Sequence, residues 1–129
     1  MKKILLVDDE EALIQIGKAM LERLGYTVAA RTSSVEALET FKEKPHDYDL
    51  VVTDQTMPNM TGLELAKKLK TIRADIPIIL CTGYYTTVTR EKAQAIGIKD
   101  LLMKPFTMYE LSKILKKVLE RSNDELNNA

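Results

Sequence analysis

Five polar side chains that can bind a cation or a phosphate each follow a short apolar run of this sequence. They are Asp8, Asp9, Asp54, Thr82 and Lys104. Two carboxylates about 4 Å apart repel each other by roughly 4 kcal/mol at an effective dielectric of about 20, so three converging carboxylates need a compensating cation. Because the candidate ligands are all oxygens, the pattern favours a hard ion such as Mg²⁺.

The same side chains are suited to phosphoryl transfer. An ionised aspartate is a nucleophile toward phosphorus once a cation screens the phosphoryl oxygens, and the product is an aspartyl phosphate. Asp54 is the candidate nucleophile. Lys104 supplies a point charge for one phosphoryl oxygen, and the Thr82 hydroxyl donates to another. Such a transfer depends mainly on placement and charge stabilisation.

Five short apolar runs predict buried β-strands that would bring these side chains together. They cover residues 4–7, 27–30, 50–53, 77–81 and 101–103,. The carboxyl ends of parallel strands meet at one edge of a sheet, which is where ligands bind in folds of this kind. The spacing of the five polar residues therefore predicts one site.

Apolar residues three and four positions apart predict an amphipathic helix after each strand. The predicted stripes are Leu13, Ile16, Met20 and Leu24 in the first helix, Val35, Leu38 and Phe41 in the second, Leu65, Ala66, Leu69 and Ile72 in the third, and Leu111, Ile114, Leu115, Val118 and Leu119 in the fifth. A more polar fourth helix is predicted over residues 87–96. The alternation predicts an α/β fold, a doubly wound five-stranded parallel sheet with helices on both faces.

Turn and cap residues mark the ends of these helices. Gly25 and Gly97 predict left-handed stops after the first and fourth helices,. Ser33 with Glu36, and Thr107 with Glu110, have the spacing of a capping box,. The sequence thus predicts one domain over residues 1–121, followed by a polar tail over 122–129 that is expected to be disordered.

Composition excludes several functions. The 129 residues suit a single domain, and 19 basic and 19 acidic residues give a formal net charge of zero, so no overall charge attracts nucleic acid or an anionic membrane,. The single cysteine, Cys81, cannot form an internal disulfide,. No apolar run is long enough to cross a bilayer, and residues 1–7 do not form a signal peptide. We expect a cytoplasmic protein.

In this order and at these positions, the motifs resemble the receiver domain of response regulators, the phosphorylated partner in two-component signalling. The motifs are Asp8-Asp9, Asp54 followed by Met57, Pro58, Gly62 and Leu63, Thr82-Gly83, and Lys104-Pro105-Phe106. The resemblance covers nearly the whole chain. It implies the flavodoxin-like (βα)5 fold with strand order 2-1-3-4-5.

The resemblance also implies a role for each site residue. Asp54 would be the phosphoacceptor, and Lys104 and Thr82 would bind the phosphoryl group. The ligands of Mg²⁺ would be Asp9, Asp54, the backbone carbonyl of Thr56 and, through water, Asp8. The backbone of Gln55, Thr56 and Gly83 would contact phosphate, and the Lys104–Pro105 peptide bond would be cis.

The implied donor is a phosphohistidine on a sensor histidine kinase or a histidine phosphotransfer protein. The implied partner surface is formed by the fourth helix, the fifth strand and the fifth helix, and the downstream target is unknown. The chain would be a phosphoacceptor rather than an enzyme, with at most slow self-catalysed phosphorylation and dephosphorylation. It would stand alone or be one segment of a larger regulator or kinase.

One position departs from the family pattern. Leu101 stands where many members carry an aromatic residue coupled to the threonine, so an aromatic rotamer switch there is in doubt. Tyr84 and Tyr85, which follow Thr82, are candidates to report the loop movement instead. The Thr56 side chain is a candidate to tune the lifetime of the phosphoryl group.

Structural explanations and rival functions stand beside this interpretation. Asp8 and Asp9 alone fit a helix start, Asp54 a turn and Lys104 a solvated strand end. His46, Cys81 and the lysines of the fifth helix are interpreted as having no catalytic, metal or nucleic-acid role. The rival functions are a phosphatase that turns over through an aspartyl phosphate, and a binding module that uses the fold without phosphorylation.

Overall fold

The apolar runs form one five-stranded parallel sheet. The computed structural model describes residues 2–83 and 90–127, with only the backbone described for 121–127. The strands are β1 (Lys3–Val7), β2 (Thr27–Arg31), β3 (Leu50–Asp54), β4 (Ile78–Thr82) and β5 (Asp100–Met103). They lie in the order β2-β1-β3-β4-β5, which confirms the order implied by the resemblance.

Five helices connect and follow the strands. They are α1 (Glu11–Arg23), α2 (Ser34–Glu43), α3 (Gly62–Ile72), α4 (Arg90–Ile96) and α5 (Met108–Asn127). A 3-10 turn, Pro45–Asp47, precedes β3. Among the described residues, no helix combines the length and the apolar composition needed to cross a bilayer.

The two faces of the sheet bury two separate apolar clusters, because successive strand residues point to opposite sides. Leu5 and Val51 pack on the face covered by α2, α3 and α4, with Phe41 of α2 fully buried. Ile4 and Val52 pack on the other face, with residues of α1 and α5. Helices on both faces, as predicted, therefore hold the central strands in place.

The predicted apolar stripe of α1 is wrong at Leu13 and Ile16, whereas its other two residues, Met20 and Leu24, pack partly buried against the cluster on the α1 and α5 face of the sheet. The buried residues of α1 are Ile14, Gly17 and Leu21, whereas Leu13 and Ile16 are 37% and 57% exposed. The sequence of α1 is apolar on two adjacent sides, so spacing alone did not decide between them. Gly17 decides: a Cβ placed there would lie 3.1 Å from the Leu6 side chain, so the helix approaches the sheet at its glycine.

Two further stripe residues were also assigned to the wrong side. Val35 of α2 is 46% exposed and Ile72 of α3 is 37% exposed. Each is one of the first or last two residues of its helix. At these ends the helix surface extends past the sheet, so apolar residues at the helical spacing are no longer buried in the core.

The predicted helix ends are largely confirmed. Gly25 and Gly97 have φ angles of 97° and 98°, which places both in the left-handed region,. Thr107 and Glu110 exchange hydrogen bonds in both directions, as a capping box requires,. The Ser33 hydroxyl accepts the Glu36 amide at 3.3 Å, which is one half of the second predicted box.

The C-terminal helix is longer than predicted. The sequence placed a disordered tail over 122–129, whereas α5 continues to Asn127. Residues 121–127 contain neither glycine nor proline, so nothing in this stretch forces a helix to end,. Residues 128–129 lie outside the described part of the chain, as do the first three residues of the predicted fourth helix.

Candidate functional site

Strands β1, β3 and β5 bring three charged side chains into direct contact at one edge of the sheet. The Lys104 ammonium donates to Asp8 Oδ2 at 2.6 Å and lies 3.1 Å from Asp54 Oδ1. Ligand oxygens of Asp8, Asp9 and Asp54 all lie within 4.8 Å of one another. The structure thus gathers the charged residues that the sequence predicted for the site.

The cluster is open on one side. Asp8 is only 6% exposed, Asp54 is half-buried and Asp9 is exposed. The Asp8 carboxylate also accepts the Glu10 amide at 3.0 Å, which fixes its position at the start of α1. A ligand therefore reaches the cluster from the Asp9 side, while Asp8 and Lys104 form its floor.

Burial and neighbouring charge act in opposite directions on the acceptor carboxylate. Burial raises the pKa of Asp54, the Lys104 ammonium acts to lower it, and Asp8 raises it further. The net direction is upward. For Lys104, burial acts to lower the pKa, but the hydrogen bond from its ammonium to Asp8 and the charge of Asp54 outweigh burial and raise it.

These directions are compatible because one ammonium serves two carboxylates. The Lys104 ammonium is stabilised by both Asp8 and Asp54, whereas Asp54 shares this ammonium with Asp8, a competing acid. With all three acids ionised, Lys104 leaves two negative charges uncompensated, counting −3 from the acids and +1 from the lysine. Oxygen ligands at this spacing and this charge deficit fit a divalent hard cation such as Mg²⁺.

The ends of β4 and β5 are tied together beside the cluster. The Lys104 amide donates to the Thr82 carbonyl at 2.7 Å, so the backbones of these two residues are directly coupled. Thr82 is 7% exposed. The Lys104–Pro105 peptide bond is cis, the isomer that the resemblance implied.

The backbone after the acceptor is also held by the sheet. The register pairs Asp54 with Cys81, and the Gln55 amide donates to the Cys81 carbonyl at 2.9 Å. The β3–β4 ladder thus extends one residue beyond Asp54 and uses the Gln55 amide, while the phosphate contact expected of the Gln55 backbone remains a prediction.

Cys81, His46 and Leu101 lie in three different parts of the fold. Burial raises the pKa of Cys81 to about 12, with Lys104 opposing and Asp54 adding to the shift, so the thiol stays protonated at neutral pH,. His46 lies in the 3-10 turn before β3, at the opposite end of the strand from Asp54. Leu101 packs against the apolar cluster on the α2, α3 and α4 face. Tyr84 and Tyr85 lie outside the described residues.

An apolar cavity adjoins the charged cluster. It has a volume of about 460 Å³ and lies between α1 and the segment that joins β5 to α5. Its lining includes Leu13, Ile16, Met20 and Phe106, and it reaches Asp54 and Lys104. The sequence missed this feature because it placed Leu13 and Ile16 in the core.

Comparison with known proteins agrees with this geometry. A family model described as the response regulator receiver domain matches residues 4–116. The chain is 35% identical over 122 residues to the alkaline phosphatase synthesis transcriptional regulatory protein PhoP of Bacillus subtilis (strain 168), covering 94% of this chain and 50% of that protein. The chain thus spans only about half of that regulator.

Two solved structures are similar over nearly the whole chain. A response regulator receiver domain protein from Clostridium thermocellum superposes with a TM-score of 0.90 at 32% identity, covering 95% of this chain and 98% of that one. The receiver domain of the sensor histidine kinase PA1611 from Pseudomonas aeruginosa PAO1 superposes with a TM-score of 0.81 at 28% identity, covering 92% and 98%. That receiver has a magnesium ion coordinated in its active-site cleft.

Proposed function

Because this chain belongs to the response regulator receiver domain family, we propose that it is a phosphoacceptor switch that takes a phosphoryl group onto Asp54 in a Mg²⁺-dependent reaction. The observation that carries the proposal is the contact of one lysine with two acids at the sheet edge, Lys104 with Asp8 and Asp54. Asp9 completes the acidic group. The donor is a phosphohistidine on a sensor histidine kinase or a histidine phosphotransfer protein.

The transfer follows from the positions of these groups. An Asp54 carboxylate oxygen forms a bond to phosphorus while the bond from phosphorus to the donor's imidazole nitrogen breaks, and that nitrogen keeps the electron pair. Lys104 neutralises one phosphoryl oxygen, and the Thr82 hydroxyl donates to another. Mg²⁺, held by Asp9, Asp54, the Thr56 carbonyl and, through water, Asp8, would supply the remaining charge neutralisation.

The charge balance of the product supports this assignment. Asp8 and Asp9 at −1 each and an aspartyl phosphate at about −2 give about −4, against +2 from Mg²⁺ and +1 from Lys104. The residual charge lies on the open, Asp9 side of the cluster, where water solvates it. No counter-ion beyond Lys104 and Mg²⁺ is required.

Switching follows from the link between Lys104 and Thr82. A phosphoryl group that draws the Thr82 hydroxyl inward also pulls on the end of β5, because the Lys104 amide is bonded to the Thr82 carbonyl. Strand β5 lies between α4 and α5 on the edge of the sheet. We therefore propose that phosphorylation changes the surface of α4, β5 and α5, which a downstream protein reads.

The rival functions are weaker on residue grounds. A phosphatase of the haloacid-dehalogenase type requires a second aspartate two residues after its nucleophile, and this chain has Thr56 there. A passive binding module has no use for an acid cluster with a half-buried lysine, which costs free energy to maintain without a ligand,.

One experiment separates the three functions. The protein is incubated with acetyl phosphate and Mg²⁺, and its intact mass is followed with time. A switch gains one phosphoryl group that persists and that Asp54→Asn cannot gain. Rapid release of many equivalents of inorganic phosphate supports the phosphatase, and an unchanged mass favours the passive module.

A further inference from the structure

The side chain of Gln55 bonds to the start of α3. Helix α3 begins at Gly62, and the first amides of a helix have no partner inside it,. The Gly62 amide donates to the Gln55 carbonyl at 3.0 Å, and the Leu63 amide donates to Gln55 Oε1 at 2.9 Å. The residue that follows the acceptor thus satisfies the first two amides of α3.

The next amide of α3, that of Glu64, is bonded within the helix start rather than to Gln55. Thr61 Oγ1 accepts the Glu64 amide at 3.2 Å, and the Glu64 carboxylate accepts the Thr61 amide in return. This capping box stabilises the helix without touching β3. The bond from Leu63 to Gln55 differs because it closes the loop between Asp54 and α3.

The start of α3 also lies very close to the backbone of Asp54, the proposed phosphoacceptor. A Cβ added to Gly62 would lie 2.3 Å from the Asp54 carbonyl oxygen and 3.0 Å from Gln55 Cα. Only a glycine fits such an approach. Gln55 therefore ties together the two ends of the loop over residues 55–61. Its amide is bonded to the sheet, and its side chain and carbonyl are bonded to the start of α3.

We infer that the Gln55 side chain is a positioning residue, which holds the backbone of Thr56 so that its carbonyl is directed to the metal position beside Asp54. The inference rests on the proposed function, since Thr56 would be a ligand of Mg²⁺. Gln55 itself would touch neither the ion nor the phosphoryl group with its side chain. Its effect would pass through the Gln55–Thr56 peptide unit and the Cα of Thr56 to the Thr56 carbonyl.

The test compares Gln55→Met with Thr61→Ala. Methionine keeps the length of the side chain but removes the acceptor for the Leu63 amide, whereas Thr61→Ala removes a cap from the same helix and leaves the hydrogen bonds of Gln55 in place. Mg²⁺ affinity is measured by titration calorimetry on each metal-free protein, and the exchange rate of the Leu63 amide is measured by NMR. Thermal unfolding shows whether the two variants lose comparable stability.

We expect Gln55→Met to lower Mg²⁺ affinity by about tenfold, the loss typical of a removed outer-shell partner, and Thr61→Ala to stay within about twofold of the wild type. Gln55→Glu keeps an acceptor oxygen for the Leu63 amide and is expected to bind Mg²⁺ at least as well as the wild type. Equal affinities in Gln55→Met and Thr61→Ala would overturn the inference, and so would a Gln55→Glu variant as weak as Gln55→Met.

The wild type distinguishes failure of this inference from failure of the proposed function. If the wild type binds Mg²⁺ and is phosphorylated on Asp54, and Gln55→Met binds Mg²⁺ with the same affinity, only the positioning role of Gln55 is refuted. If the wild type neither binds Mg²⁺ nor gains a phosphoryl group, both the positioning role and the proposed function are refuted.

Discussion

Single residues carry the charge balance of the site. Lys104 compensates Asp8 and Asp54 together, while Asp9 stands exposed at the rim. These residue types and their positions after apolar runs were sufficient to predict the cluster from the sequence. The engagement of the Gln55 amide by Cys81 was not predictable, because it depends on the register between β3 and β4.

Asp9→Asn should stabilise the metal-free protein and weaken Mg²⁺ binding. The Asp9 carboxylate oxygen lies within 4.8 Å of those of Asp8 and Asp54. Removing one charge relieves repulsion of up to about 1 kcal/mol after solvent screening. Urea unfolding with and without Mg²⁺ measures both effects. A metal-free variant less stable than the wild type, or one that Mg²⁺ stabilises as strongly, contradicts the account.

Gly62→Ala should destabilise the fold and disturb the acceptor loop. The new Cβ would lie 2.3 Å from the Asp54 carbonyl oxygen, and backbone atoms cannot give way as a side chain can. Overpacking of this kind costs about 1–3 kcal/mol. The matched control is Gly17→Ala, whose Cβ would meet the flexible Leu6 side chain at 3.1 Å. Equal unfolding free energies for the two variants would rule out the close approach at Gly62.

Whole elements, rather than residues, decide which parts of the surface respond together. Asp100 at the start of β5 accepts from Arg90 of α4 at 2.9 Å and from Lys117 of α5 at 3.0 Å. Its side chain is only 9% exposed. The proposed output surface is therefore held across three elements by one carboxylate, a link that the sequence did not indicate.

Asp100→Asn should destabilise the protein by about 1 kcal/mol at neutral pH, because two charge-assisted hydrogen bonds weaken. Burial acts to raise the pKa of Asp100, but hydrogen bonds from Lys117, the Leu101 amide and Arg90 outweigh it and lower the pKa below its usual 3.8. The stabilisation is thus complete above about pH 3.8 and declines as pH falls through the lowered value.

The check is a series of unfolding free energies against pH for wild type and variant. The difference should be largest near neutrality and shrink in acid. Glu39→Gln is the control, since Glu39 forms an exposed pair with Lys42 at 3.5 Å and should change stability little,. A wild-type advantage that grows as the pH falls would contradict the predicted direction.

The presence of each strand and helix was easier to predict from the sequence than the side that each helix turns to the sheet. The five strands were predicted because apolar runs of this length have few alternatives. The rotation of α1 was not, because Leu13 and Ile16 extend its apolar surface beyond the buried line of Ile14 and Leu21. The close approach at Gly17 fixes that rotation, and it appears only when the helix is packed on the sheet.

At the scale of the molecule, the sheet order places the site. With β3 at the centre between β1 and β4, and β5 at the edge, Asp8, Asp54, Thr82 and Lys104 lie at the ends of four adjacent strands. The two apolar clusters on opposite faces hold this edge rigid. Asp54 and Lys104 are 46 and 96 positions from Asp8 in the sequence, yet the three form one charged site because the topology requires it, and function depends on the whole fold.

The most direct test of the account is to locate the phosphoryl group. The protein is reacted with acetyl phosphate and Mg²⁺, the acyl phosphate is reduced with borohydride to homoserine, and peptides are mapped by mass spectrometry. The account predicts homoserine at position 54 and none when Mg²⁺ is chelated. Homoserine at position 8 or 9 instead, or equal labelling without Mg²⁺, would contradict it.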